Sequence, residues 1–149
     1  MGGTIVFDNI LIATDGSDEA DNAAEYAIEL ASGFGATVHV LYVVETQAHY
    51  FLTVAGHDPE EIEEHRAWGE DLVTEVVDTA AAEGLDAIGA VKTGSVAQEI
   101  VEYADEKDID HIVIGATGRS GIDDYLVGST AEKVVRTATV PVTTVRLEK

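Results

Sequence analysis

The sequence predicts an α/β fold, an open parallel sheet of five strands with helices on both faces. Three observations predict it. Short apolar runs alternate with helix-periodic stretches along the whole chain, the runs are nearly continuous in Val, Ile and Leu, and turn signals separate them without a repeat or a linker. With 149 residues, 46% of them hydrophobic, the chain has the size of one domain, 1–149, and the material for one core.

Ile10-Leu11-Ile12-Ala13 reads as a buried strand that ends in the polar cluster Thr14-Asp15-Gly16-Ser17-Asp18. Ala20, Ala23, Ala24, Ala27, Ile28 and Ala31 then repeat at helical spacing up to Gly33, a stop signal, and their small side chains let the helix lie close to a sheet. Val38, Val40, Leu41, Val43 and Val44 make the second strand and complete a βαβ unit. The pattern breaks from Thr46 to His57. Asp58-Pro59-Glu60-Glu61 announces a helix, with Asp58 as N-cap, Pro59 at the first helical position and acids suited to the dipole. Its apolar stripe, Ile62, Leu72, Val73, Val76, Val77 and Ala80, runs towards Gly84.

Ala87 to Val91 is a short third strand. Ser95-Val96-Ala97-Gln98 has capping-box spacing, and Val96, Ile100 and Ala104 face inward on the helix that follows. His111-Ile112-Val113-Ile114 is the fourth strand and runs into Gly115. Ser129-Thr130-Ala131-Glu132 again has capping-box spacing, before Val134, Val135 and Ala138 on a short helix. Pro141 to Arg146 closes the chain as a fifth strand.

Composition narrows the chemistry. Without cysteine there is no disulfide framework, thiolate zinc site or cysteine nucleophile. His39, His49, His57, His65 and His111 never fall at the HxxxH spacing that puts two ligands on one helix face. The first residues lack the basic start and long apolar run of a secretory signal, and Val6 stands where a myristoylation motif wants Ser or Thr. A cytoplasmic location without membrane contact is expected. The formal net charge of −21 argues against nucleic acid or an anionic membrane as partner. The acids are spread along the chain, as in a protein kept dissolved in concentrated salt, and a salt-loving host is expected.

Ligands of such sheets bind beyond the carboxyl ends of the strands, where the strand order reverses. The loops after the first and fourth strands are therefore the candidate site. In the second of these, Gly115 and Gly118 flank two residues, nine more follow, and Gly128-Ser129 opens a helix. Glycines let the backbone approach a pyrophosphate, and a helix N-terminus presents unpaired N–H groups and a positive dipole end. Arg119 and the hydroxyls of Ser120, Ser129 and Thr130 add donors. The same glycines also suit tight turns, and Ser129 also suits an N-cap.

The spacing Gly115-x-x-Gly118, nine residues, Gly128-Ser129 resembles the ATP-binding signature of universal stress proteins, G-x2-G-x9-G followed by Ser or Thr. Ile10 to Ser17, Thr93 to Ile100 and Val140 to Val145 are similar to the family's opening strand and loop, third strand-to-helix turn and closing strand, so the resemblance covers nearly the whole chain. The fold expected is Rossmann-like, with strand order 3-2-1-4-5. The resemblance implies that Ala13, Thr14 and Asp15 border the nucleoside and that Val43 offers backbone groups to adenine. Gly115, Gly118, Arg119, Gly128, Ser129 and Thr130 would cradle the phosphates of ATP, with Mg²⁺ or Mn²⁺ as a possible companion. Asp15 also suits a turn-forming or helix-capping carboxylate. The family resemblance further implies a homodimer through the last strand, where Val140, Val142 and Val145 lie on or beside an unpaired edge.

Other nucleotide and phosphate folds fit less well. No Gly-Lys-Ser/Thr of a P-loop occurs, Asp15 and Asp18 would repel phosphate on a flavodoxin-type first loop, and Lys92-Thr93-Gly94 stands where a receiver domain needs its phosphoacceptor Asp. Gly118-Arg119-Ser120-Gly121 lacks the spacing of a nucleophile elbow, and no general base is evident near Gly118. At most slow hydrolysis is expected, and a dimeric scaffold that works without nucleotide is the alternative.

Overall fold

Strand β1 comprises Asn9–Ala13, β2 Thr37–Glu45, β3 Ala87–Gly94, β4 His111–Gly115 and β5 Val142–Val145. They form one parallel sheet in the order β3-β2-β1-β4-β5. This is the predicted order. The structure, a computed structural model, describes residues 7–46, 59–116 and 129–146. Within these, the helices are α1 (Asp18–Phe34), α2 (Pro59–Ala82), α3 (Val96–Glu106) and α4 (Ser129–Thr137).

The central strands are buried on both sides, which is why they read as unbroken apolar runs. Side chains alternate between two cores. Ile10, Ile12, Val38, Val40, Val44 and Val113 pack with the alanines of α1 and with Val73 and Ala80 of α2. Leu11, Leu41, Val43, Ile112 and Ile114 pack with Ile100 and Tyr103 of α3 and with Ala131 and Val134 of α4. Each face thus has its own pair of helices, as the alternation predicts.

Close approach is built with small residues. A Cβ at Gly69 of α2 would lie 2.1 Å from the Tyr42 ring, so only glycine lets that helix settle on β2. Ser17 caps α1 by accepting the Ala20 N–H at 3.1 Å.

Several boundaries differ from those read in the sequence. Helix α1 runs through Gly33 and stops at Gly35, whose φ of 69° supplies the left-handed cap while its N–H reaches the Ala31 carbonyl. Strand β3 continues past Val91, because Lys92, Thr93 and Gly94 pair with Val43, Val44 and Glu45. It is an edge strand, so its exposed polar end carries no apolar signal. Ser95 occupies the N-cap of α3 but its side chain makes no capping bond, and Gln98 donates to Glu102 at 2.8 Å. Val135 is 51% exposed; the narrow buried stripe of α4 is Ala131 and Val134. Pro59 opens α2 as expected, whereas Asp58, the proposed N-cap, lies outside the described residues.

Candidate functional site

The connections from β1 and β4 pass to opposite faces of the sheet, which leaves a crevice at the carboxyl ends of these neighbouring strands. A cavity of about 140 Å³ occupies this place. Strand ends supply one wall: Ala13, Thr14 and Asp15 after β1, Leu41 and Val43 of β2, Ile114 and Gly115 of β4. First turns of helices supply the other, with Ser17, Glu19 and Ala20 from α1, Val96 and Ile100 from α3, and Thr130 and Ala131 from α4.

The interior is mainly aliphatic and the polar groups stand at the strand and helix ends. Thr14 continues the sheet through its N–H, which donates to the Leu41 carbonyl at 2.9 Å. Its hydroxyl accepts from the Gly16 N–H at 3.2 Å, and Asp15 Oδ1 accepts from the Ser17 N–H at 3.0 Å. Asp15 is therefore a turn-former as well as a wall residue. A carboxylate has about four lone-pair sites, so holding the turn leaves acceptors for a ligand hydroxyl or amine.

Three helix N-termini converge here, each presenting the positive end of its dipole. They are not electrostatically equal. The first turn of α1 carries Asp18, Glu19 and Asp21, while those of α3 and α4 carry one acid each, Glu99 and Glu132. An anion is repelled least at the α3 and α4 ends, and α4 is the helix that follows the glycine loop. Of the three acids on the α1 side, Glu19 is buried.

Six of the residues singled out in the sequence meet at this cavity: Ala13, Thr14, Asp15, Val43, Gly115 and Thr130. Ser129 opens α4 and is exposed, and its neighbour Thr130 reaches the wall. Gly118, Arg119 and Gly128 lie outside the described residues. Gly115 has a second role. A Cβ there would approach the backbone of Glu19 and Ala20 to 2.7–2.9 Å, so this glycine lets the first turn of α1 close onto β4.

Ser17 is expected at the site only as the end of the loop after β1, and Glu19, Leu41, Val96, Ile100 and Ile114 are not among the residues the sequence singles out for it. Their spacing held a signal: Leu41 and Val43 share a strand face, and Val96 and Ile100 share a helix face one turn apart. Among the described residues, no group of His, Cys, Asp and Glu could hold a metal ion, and no helix is long and apolar enough to cross a membrane. His39 and His111 belong to the packing, away from the cavity. His39 bonds the Tyr103 hydroxyl at 2.8 Å and Asn9 Oδ1 at 3.1 Å, and His111 bonds the Thr143 hydroxyl at 2.6 Å. Burial pushes both imidazoles below 6.5, with Lys107 adding to the effect at His39. On the α2 face of the sheet, burial and then the Asp15 charge hold the Tyr42 phenol above its ordinary value.

Fold and cavity together define a doubly wound α/β protein with its crevice at the switch point. The universal stress protein family model matches residues 7–146, and the chain belongs to that family. A universal stress protein of Methanocaldococcus jannaschii is 35% identical over 147 residues, covering 99% of this chain and 86% of that one. The solved universal stress protein UspA from Lactobacillus plantarum superposes with a TM-score of 0.81 at 28% identity, over 96% of this chain and all of the other. A universal stress protein from Archaeoglobus fulgidus, solved in complex with dAMP, shares the fold with a TM-score of 0.69 at 24% identity, over 95% and 99% of the two chains.

Proposed function

We propose that the protein is an ATP-binding universal stress protein, a nucleotide-dependent regulator in the stress response with at most slow hydrolysis. The observation that carries this reading is the meeting of Ala13, Thr14, Asp15, Val43, Gly115 and Thr130 at one cavity, although they come from four separated parts of the chain. At about 140 Å³ the cavity is smaller than the roughly 300–1,000 Å³ of a site for a whole drug-sized ligand. It suits one ring system. The aliphatic walls take the faces of adenine, the backbone at Val43 reads its edge, and Asp15 accepts from base or ribose. The phosphates then leave toward Thr130 and Ser129 at the least acidic helix ends, with Gly118, Arg119 and Gly128 completing the cradle. Any Mg²⁺ or Mn²⁺ would accompany the phosphates. The dAMP complex of the Archaeoglobus fulgidus protein supports an adenine nucleotide as the ligand class.

The setting proposed is a single cytoplasmic domain that pairs with a second copy along the edge strand β5, where Val142 and Val145 are half-buried beside Val140. Light scattering that finds a monomer at every salt concentration would count against the pairing. The test of the ligand is direct: denature the purified protein and look for released adenine nucleotide by mass spectrometry. ATP titration by calorimetry follows, with Gly118→Val and Val43→Phe expected to abolish binding while circular dichroism stays unchanged. Full affinity in both variants would overturn the nucleotide reading. The contact of Gly115 with α1 favours the second reading in that event, a dimeric scaffold whose glycines serve packing alone.

A further inference from the structure

A second concavity lies between α1 and α2, on the face of the sheet opposite to α3 and α4. It measures about 420 Å³. Ala24, Ile28, Leu72 and Val76 give it an apolar floor, and Asp21, Glu25 and Glu75 are the charged residues of its walls. Among the described residues, no lysine or arginine lines it. From Leu72 to Thr79 it follows α2 for two helical turns, roughly 10 Å at 1.5 Å per residue.

The charge of this face exceeds the average of an already acidic chain. Helix α1 has five acidic residues and no basic one, and α2 has eight acidic residues and Arg66. The Arg66 guanidinium is engaged by Thr93 on the far side, at 2.8 Å from its hydroxyl. Helices α3 and α4 on the other face carry four acids and one, with Lys133 and Arg136 in α4. Carboxylates that face one another across an apolar groove repel, and a cation laid between them removes that repulsion. Apolar floor and acidic walls on two parallel rails are the complement of an amphipathic helix with lysine or arginine flanking its apolar stripe.

We propose that the α1–α2 groove docks a cationic amphipathic helix of a partner protein. The groove is separate from the nucleotide cavity, and the proposal does not depend on what that cavity binds. The probe is a labelled synthetic helix of leucine and lysine, titrated by fluorescence anisotropy at the lowest KCl concentration that keeps the protein folded. Glu25→Lys with Glu75→Lys, and separately Thr79→Trp to block the groove without changing charge, should each weaken binding by at least about tenfold. Glu102→Lys with Glu106→Lys on α3 makes the same change in net charge and should leave affinity within about twofold. Circular dichroism of every variant confirms folding. Equal loss in the two charge-reversed pairs would show bulk attraction, and unchanged affinity in Thr79→Trp or no binding by the unmodified protein would show that the groove is not the site. A dimer of the unmodified protein that dissociates on Glu25→Lys with Glu75→Lys would assign the groove to a second copy. Each of these results overturns the proposal.

Discussion

Gly115 abuts the backbone of Glu19: a Cβ added at Gly115 would stand 2.7 Å from the Glu19 carbonyl carbon. Backbone in a capped first turn cannot swing aside as a flexible side chain can. Gly115→Ala must push α1 off β4, an overpacking cost of about 1–3 kcal/mol. Urea unfolding should show that loss in the absence of any ligand. An unchanged midpoint would mean that this glycine has no part in packing.

Gly16 combines two constraints, a φ of +81° and a Cβ position 3.0 Å from both Leu72 Cδ1 and Trp68 Cη2. Alanine there carries a left-handed backbone cost of about 1–2 kcal/mol and presses on the indole as well. Trp68 is the chain's single tryptophan, half-exposed and edge-on to Tyr42 at 5.7 Å between ring centroids. Gly16→Ala should therefore lower the melting temperature and shift the emission maximum of the folded protein, and fluorescence unfolding reads both.

The buried imidazoles set the pH response near neutrality. His39 and His111 are held below 6.5 in the folded chain, so as pH falls through about 6.5 the unfolded chain takes up protons that the folded one refuses. Stability should be flat above that point and decline below it. His39→Gln and His111→Gln should each flatten the decline of the urea midpoint between about pH 7 and 5.5. A midpoint that rises with acidification over this range would contradict the assignment.

Salt should act in the opposite sense to its effect on most surface ion pairs. With a net charge of −21, the folded chain is strained by self-repulsion that added ions screen. Thermal unfolding across KCl concentrations should show the melting temperature climbing from low to multimolar salt. Equal stability at both ends would remove the case for a salt-loving host.

The parts of the fold that sequence makes legible are those where one force dominates. Ile10 to Ala13 and Ile112 to Ile114 are buried on both sides, so apolar character alone marks them. The alanines of α1 are legible because close packing on a sheet demands small side chains at helical spacing. The end of that helix is not, since Gly33 and Gly35 are equivalent as letters and only the second adopts the left-handed cap. The polar end of β3 is hidden because backbone pairing with β2, and not burial, extends it. At the site, Thr14, Asp15 and Gly115 stand out as polar or flexible residues at strand ends. Leu41, Ile100 and Ile114 do not, because a cavity wall and a core use the same aliphatic side chains. Only the fold distinguishes the layer that meets a void from the layer that meets a neighbour.

Thr14 lines the cavity on one side and the α1–α2 groove on the other. The two concavities thus share a wall one turn thick, made of Thr14 to Ser17 and stitched by its own short hydrogen bonds. A ligand that reshapes this partition from either side changes the affinity on the other, and thermodynamic reciprocity makes the factor the same in both directions. Such a partition can carry a message between a small molecule and a macromolecule without any movement of the sheet.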